Sequence, residues 1–119
     1  MRVVADHGYT LGLHTNYKDV YRHSPDWDEA TIQTNECGEL RFHGAWMGGY
    51  SYQGIPHRML ERYVERDFPG LKAMGLGGFW YFDAVGSVME ETFPPGEAIC
   101  RREYGEGMNR YFQAAHRVF

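Results

Sequence analysis

A continuous run of four aromatic residues, Phe79-Trp80-Tyr81-Phe82, constrains the fold of this chain more than any other feature. Apolar side chains on both faces of a short segment are typical of a buried parallel strand. Asp83 follows directly, and functional groups in barrels and open α/β sheets collect at the carboxyl ends of such strands. The pattern therefore predicts a buried strand over 79–82 with a carboxylate at the rim of its sheet.

Helical and extended patterns alternate elsewhere in the chain. Residues 1–7 are expected to be helical and to end at Gly8, with a strand over 9–14 directly after. A last helix is expected from about Ala98 to Phe119, where apolar residues recur at helical spacing. A helix that ends at glycine and leads into a strand is half of a βαβ unit, so the order predicts an α/β fold.

A further helix is predicted between the two strands. It begins at Pro56, runs to about Arg66, and is expected to be interrupted at Pro69 before a second short helical piece. Glycines are expected to end that piece; they are Gly75, Gly77 and Gly78.

Together these elements predict part of a (β/α)8 TIM-type barrel, made of about two βα units with a long inserted loop. The chain has 119 residues, whereas a complete barrel of this type takes about 250. Because both ends fall inside predicted elements, residues 1–119 are expected to form one partial barrel domain, truncated at both ends. The remainder of the barrel, or a self-association partner, is expected to cover its exposed apolar surface.

The stretch from Thr15 to about Ile55 is predicted to be largely irregular. A helix start is expected at Ser24-Pro25, and a hairpin over 31–35 and 40–43 that turns near Gly38. The glycine-rich and aromatic segment 44–52 is predicted to be a loop. Its aromatic residues either line a sugar subsite or plug the top of a barrel, and the sequence does not separate these interpretations.

Composition excludes several classes of partner. The net charge is −4 and basic residues are scattered, so the concentrated basic face that nucleic acid requires is missing from the sequence. No run approaches the ~18 apolar residues of a membrane span. Two cysteines far apart give no zinc or redox motif, so no cofactor and no metal site are predicted. The compartment stays open.

Polar residues at the predicted strand ends are the candidates for chemistry. Asp83 could act as a nucleophile or base or stabilise a cation, or it could be a helix cap or a structural hydrogen-bond acceptor. His14 and Asn16 would share one side of a continuing strand and could bind a sugar hydroxyl or a metal. A metal would need a third and a fourth ligand, such as Asp19 or Asp83, and no recognised spacing supplies them. A lone histidine at a strand end is also commonly a structural donor.

Several motifs resemble a group of glycoside hydrolase barrels. They are His7 to Tyr17, Ser24 to Asp28, Gly75 to Val85 and Arg101 to Gly107. The group comprises the endo-α-N-acetylgalactosaminidases of family 101, the α-N-acetylgalactosaminidases of family 129 and uncharacterised bacterial relatives. The resemblance extends over nearly the whole chain.

The resemblance implies a retaining hydrolase acting on α-linked (N-acetyl)galactosaminide-type sugars. Asp83 matches the strand-end nucleophile of that group, His14 and Asn16 match positions that face the sugar, and Trp46 would lie against the substrate. The other side chains expected to bind substrate are Tyr17, Asp19, Gln53 and Tyr81.

A retaining mechanism also needs a second carboxyl group, roughly 5 to 5.5 Å from the first. In the group this acid is a Glu at the end of the next strand, which these residues do not include. Glu103 and Glu106 fall on the last predicted helix and are poor substitutes, so the chain alone is expected to be inactive. Two other classes stay open, namely a non-catalytic carbohydrate-binding module and a small α/β domain that uses its aromatic residues for oligomer contacts.

Overall fold

The computed structural model describes residues 2–76 and 79–119 as a mixed α/β fold. Its strands are β1 (Gly12–Thr15), β2 (Asp19–Tyr21), β3 (Phe42–Trp46), β4 (Gly49–Gln53) and β5 (Phe79–Phe82). Its helices are α1 (Arg2–Asp6), α2 (Pro56–Met59), α3 (Glu65–Ala73) and α4 (Arg101–Val118), with a 3-10 turn at Glu29–Thr31 and a π turn at Leu60–Val64. None of the described helices is both long and apolar enough to span a membrane.

Two small sheets position the rest of the chain. Strands β1 and β5 pair in parallel, and Gly12 lies opposite Phe79 while Thr15 lies opposite Phe82. Strands β2, β4 and β3 form an antiparallel sheet in that order. The predicted parallel pairing of two βα units is therefore confirmed, and the inserted segment between them carries a sheet of its own.

The main core lies between the parallel sheet and the helices. Phe68 of α3 is fully buried and packs against Trp80 and Phe82 of β5 and against Tyr111 of α4. A smaller cluster around Ile32 and Met59 joins the inserted sheet to the helices. Burial of these side chains is the main source of stability of the arrangement.

Strand β5 is not buried on both faces as predicted. Trp80 and Phe82 pack on the core, whereas Phe79 and Tyr81 on the other face are exposed. The reason is that the sheet is small. Within the described residues it has two strands, β1 and β5, and no helix or second sheet among these residues packs on its other face. The expected exposed apolar surface is present.

The predicted interruption at Pro69 is wrong, because α3 continues through this residue. Proline removes one backbone hydrogen bond, but Phe68 and Leu71 on either side pack on the main core and hold the helix together. The predicted end of the helix is confirmed at Gly75, whose φ is 82°. Gly77 and Gly78 lie outside the described residues. Gly8, with φ 75°, likewise follows α1 as predicted.

The helix predicted to start at Ser24 is absent. The Ser24 hydroxyl accepts a hydrogen bond from the Asp26 amide within a turn, and the first helical residue is Glu29. Asp28 caps that short 3-10 turn, because its carboxylate accepts from the Ala30 amide at 3.0 Å.

The inserted hairpin is displaced from its predicted position. The predicted pairing survives as one bridge between Thr34 and Leu40, with Gly38 in the turn at φ 79°. The longer hairpin is β3–β4, which spans residues 42–53 and so includes the whole segment 44–52 that is predicted to be a loop. A two-residue turn joins Trp46 to Gly49, whose positive φ of 100° suits glycine.

Candidate functional site

Asp83 lies at the carboxyl edge of the parallel sheet. Its backbone amide donates to the Thr15 carbonyl oxygen at 2.8 Å, which extends the pairing of β5 with β1 by one residue. Its carboxylate comes within 3.7 Å of the His14 Nε2 atom. The side chains of Asp83 and His14 are 43% and 62% exposed, so both are open to a ligand.

The backbone immediately after Asp83 is strained. Ala84 has φ 59°, in the left-handed region that costs a residue with a Cβ roughly 1 to 2 kcal/mol. A turn holds it there, since the Ser87 hydroxyl donates to the Ala84 carbonyl at 2.7 Å. The ammonium of Lys18, which is buried, donates in turn to Ser87 at 3.3 Å. Burial lowers the pKa of Lys18.

A cleft of about 710 Å³ opens between the end of the parallel sheet and the inserted hairpin. Its lining includes five of the residues expected to act on a sugar, together with two that the sequence did not indicate. The expected residues are Asn16, Asp19, Trp46, Tyr81 and Asp83, and the additional ones are Tyr21 and His43. The fold therefore brings the end of the first strand, the hairpin and Asp83 together.

Small residues on the inserted sheet shape the wall of the cleft. Gly44 on β3 lies opposite Ser51 on β4, and the Trp46 indole lies over Gly44. A Cβ on Gly44 would lie 2.8 Å from the Trp46 ring. The indole N–H donates to the Ser51 hydroxyl at 3.1 Å, which fixes the ring in this position.

Asp19 and His43 form a close pair in the same wall. The Nδ1 atom of His43 contacts one carboxylate oxygen of Asp19, and Asn16 donates to the other oxygen at 2.5 Å. The side-chain Oδ1 atom of Asn16 also accepts hydrogen bonds from the backbone amides of Lys18 and Asp19. Both oxygens of Asp19 are thus engaged within the protein.

His14 stacks on Tyr81, its register partner in the parallel sheet. The ring centroids are 5.2 Å apart and the planes differ by 17°. Both side chains are exposed on the face of the sheet opposite the core. His14 thus reaches Asp83 while resting on an aromatic surface.

Tyr17 and Gln53 lie away from this cleft. The Tyr17 ring packs against Phe68 and Tyr111 in the main core, and its hydroxyl donates to Asp67 at 3.3 Å. Burial raises the pKa of Tyr17. Gln53 is buried in β4, where its backbone N–H donates to the Arg41 carbonyl and its backbone carbonyl accepts from the Gln33 N–H.

Asp19 and Asp83 are the carboxylates that line the cleft within the described residues. Glu103 instead accepts a hydrogen bond from the Cys100 amide at 2.8 Å and caps α4, which lowers its pKa. Glu106 approaches Arg102 on the same helix at 3.6 Å. Across residues 2–76 and 79–119, no cluster of three or more metal-ligating side chains occurs.

The sequence does not single out His43, because it predicts this residue at the end of an ordinary strand, in a hairpin that the structure places elsewhere. A usable signal was present in the alternation of Tyr50 and Tyr52 with Ser51 and Gln53. That period of two is typical of a strand with one aromatic face and one small or polar face. It would have placed the hairpin correctly, though not the meeting of His43 with Asp19.

No protein-family model matches this sequence, and the comparison with curated proteins finds no match. Solved structures do match. The α-N-acetylgalactosaminidase NagBb from Bifidobacterium bifidum, in complex with Gal-NHAc-DNJ, is 23% identical with a TM-score of 0.82. That match covers 99% of this chain and 19% of the enzyme chain.

Other structures of the same enzyme agree. Its GalNAc complex is 24% identical with a TM-score of 0.83, and covers 99% of this chain and 20% of that one. The ligand-free structure is 24% identical with a TM-score of 0.81, and that match covers 97% of this chain and 20% of that one. The chain therefore has the fold of a segment of an α-N-acetylgalactosaminidase and spans about a fifth of that protein's length.

Proposed function

We propose that these residues belong to a retaining glycoside hydrolase that acts on α-linked N-acetylgalactosaminide-type sugars, with Asp83 as nucleophile. One observation carries the proposal. Asp83 stands open at the carboxyl edge of a parallel sheet, beside a cleft, in a chain whose fold matches a segment of an α-N-acetylgalactosaminidase over 99% of its residues. Catalytic groups of (β/α) enzymes occupy this edge.

The chemistry of the substrate supports a nucleophile supplied by the protein. In an α-N-acetylgalactosaminide the 2-acetamido group lies on the same side of the ring as the leaving group, so it cannot attack the anomeric carbon from behind. A carboxylate such as Asp83 would form the bond to this carbon while the bond to the leaving oxygen breaks. Water then attacks the glycosyl ester, releases the sugar with its α configuration and regenerates the carboxylate.

A second carboxyl group must protonate the leaving oxygen and later deprotonate the water. Asp19 is a poor candidate, because His43 and Asn16 occupy its oxygens. Glu103 and Glu106 belong to α4 and are not among the residues that line the cleft. We therefore assign this role to a glutamate outside these 119 residues, and we expect the isolated 119-residue chain to be inactive.

Other side chains in and beside the cleft would bind the sugar. His14 does not line the cleft but approaches Asp83 at its edge, and it would contact hydroxyls. Trp46, whose ring is exposed, would contact the sugar face. Asn16 would stabilise the wall of the cleft through its hydrogen bonds to the Asp19 carboxylate and to the backbone amides of Lys18 and Asp19. Tyr81 would support the His14 ring by stacking against it. Tyr17 and Gln53 would not contact the sugar and would affect its binding only by stabilising the surrounding structure.

The rest of a (β/α)8 barrel would cover the open face of the parallel sheet. Phe79 and Tyr81 are exposed there, and within the described residues neither outer edge of the two-stranded sheet pairs with another strand. Such an aromatic surface is costly to leave in water. This expectation agrees with the share of the enzyme chain that the match covers.

The test is hydrolysis of an aryl α-N-acetylgalactosaminide by the complete encoded protein. We expect turnover that Asp83→Asn reduces by at least about a thousandfold, while sugar binding persists. Asp26→Asn, an exposed carboxylate paired with Arg66, is the matched control and should retain turnover. Saturable sugar binding without turnover in the unaltered protein would favour a carbohydrate-binding module instead.

A further inference from the structure

We propose that His43 accepts a hydrogen bond from one hydroxyl of the bound sugar, and that Asp19 is the positioning residue that fixes its ring. This inference rests on the proposed function and names a specificity determinant of the same cleft. It also changes the role of Asp19, which the sequence suggested as a direct sugar ligand.

The position of His43 makes it available to a ligand. It lines the same cleft as Asp83, and its side chain is 22% exposed, whereas that of Asp19 is only 10% exposed. The Nδ1 atom contacts the Asp19 carboxylate, which leaves Nε2 as the second polar atom of the ring. Nε2 makes no hydrogen bond within the part of the chain that the structure describes.

The Asp19 carboxylate determines which ring nitrogen carries the proton. A carboxylate accepts hydrogen bonds, so the Nδ1 atom that contacts it is the donor, and in the neutral ring Nε2 is then an acceptor. In this tautomer Nε2 accepts a hydrogen bond from a group that donates one, as a sugar hydroxyl does.

Asp19 and His43 are each held in place by a further contact besides the one between them. Asn16 donates to the second oxygen of Asp19 at 2.5 Å and is itself fixed by two backbone amides of the same turn. The Trp46 ring meets the His43 ring edge to face, at 6.3 Å between centroids. His43 therefore presents one acceptor atom in a fixed direction, and this arrangement favours recognition of a single hydroxyl.

The experiment measures kcat/KM of the complete protein on an aryl α-N-acetylgalactosaminide and on its 3-, 4- and 6-deoxy analogues. His43→Phe keeps a ring beside Trp46 but removes both nitrogens. We expect it to lower kcat/KM on the parent substrate by roughly 5- to 150-fold and by less than about threefold on one deoxy analogue. His23→Phe is the matched control, because His23 is exposed and does not line the cleft.

Asp19 is tested through the same selectivity. Asp19→Ala should weaken discrimination between the parent substrate and that one deoxy analogue, and it should add no further loss of discrimination in the His43→Phe background. A purely structural role would instead reduce kcat/KM on all four substrates equally in both backgrounds.

An equal loss of kcat/KM on every substrate, or no loss with His43→Phe, would overturn the inference. The proposed function would still stand in that case, provided that turnover depends on Asp83. Full turnover by Asp83→Asn would overturn the proposed function and this inference with it. Should His43→Phe fold poorly, His43→Asn in an Asp83→Asn background allows direct measurement of sugar binding. The same loss of selectivity for one hydroxyl is then expected in the dissociation constants.

Discussion

The amide of Asp83 donates to the carbonyl oxygen of Thr15 at 2.8 Å, and this bond ties the candidate nucleophile to the neighbouring strand. Asp83 is therefore still part of the parallel pairing, although β5 ends one residue earlier. The residue that follows, Ala84, turns sharply away with φ 59°. The paired strand on one side and the turn on the other thus hold the backbone of Asp83, and a nucleophile requires such fixed placement of the residue that carries it.

The turn at Ala84 gives the first prediction. Glycine adopts a positive φ without steric cost, whereas a β-branched residue does not. We expect Ala84→Gly to retain turnover and Ala84→Val to lower both turnover and the free energy of unfolding, the latter by about 1 to 3 kcal/mol. Steady-state kinetics and urea unfolding of the two variants measure these effects. Equal behaviour of the two variants would show that the left-handed turn does not position Asp83.

Gly44 gives a second prediction, about the cleft wall. A Cβ here would lie 2.8 and 2.9 Å from atoms of the Trp46 ring, so the indole must shift from the position in which it donates to Ser51. We expect Gly44→Ala to weaken sugar binding by about tenfold, as loss of one or two ordered contacts would. Isothermal titration with the free sugar measures this.

Gly70 provides the matched control for that substitution. It lies inside α3, has no positive φ, and an added Cβ would meet no atom within 4 Å. Gly70→Ala should leave sugar binding unchanged and stabilise the protein by about 0.5 to 1 kcal/mol. Sugar affinity that is unaltered in Gly44→Ala would contradict the placement of Trp46 over this glycine.

Much of the scaffold could be predicted from local patterns. Strand β5, helix α4 and the helix ends at Gly8 and Gly75 follow from side-chain periodicity and from the conformational freedom of glycine. Which side chains of β5 are exposed could not be predicted, because an apolar sequence does not reveal how many strands a sheet contains. Helix α3 continues through Pro69 because packing of Phe68 outweighs one lost hydrogen bond, and that packing is tertiary.

The candidate site was predictable where it depends on strand ends and unpredictable where it depends on the inserted sheet. Asp83 and His14 meet because parallel strands end at one edge, a rule that needs no structure. Asp19 and His43 are 24 residues apart and meet through the pairing of both their strands with β4. Sequence patterns do not fix such a long-range register.

Alkaline pH should destabilise the protein through its buried tyrosines. Burial raises the pKa of Tyr104 from 10.0 to about 12. A raised pKa in the folded state means that stability is complete below pH 10 and is lost as pH rises from 10 to 12, by about 2 to 3 kcal/mol for this residue. Urea unfolding at successive pH values should show this loss, and Tyr104→Phe should make it smaller. An unchanged slope in the variant would contradict the prediction.

Tyr111 should behave differently when its hydroxyl is removed. The ring is buried in the main core, and its hydroxyl finds no hydrogen-bond partner among the described residues. Removing an unsatisfied buried hydroxyl while keeping the ring costs no hydrogen bond. We expect Tyr111→Phe to leave the free energy of unfolding unchanged or to raise it by up to about 1 kcal/mol, as chemical denaturation can measure. A clear loss of stability would reveal a partner for this hydroxyl.

The role of Asp83 as nucleophile is tested most directly by azide rescue of Asp83→Ala in the complete protein. Removing the carboxylate leaves room for azide to attack the anomeric carbon of an activated aryl α-N-acetylgalactosaminide. The account predicts that azide restores release of the aryl group and that the product is the glycosyl azide of inverted, β configuration. Full turnover of Asp83→Ala without azide, or a lack of rescue in a folded variant that still binds the sugar, would contradict it.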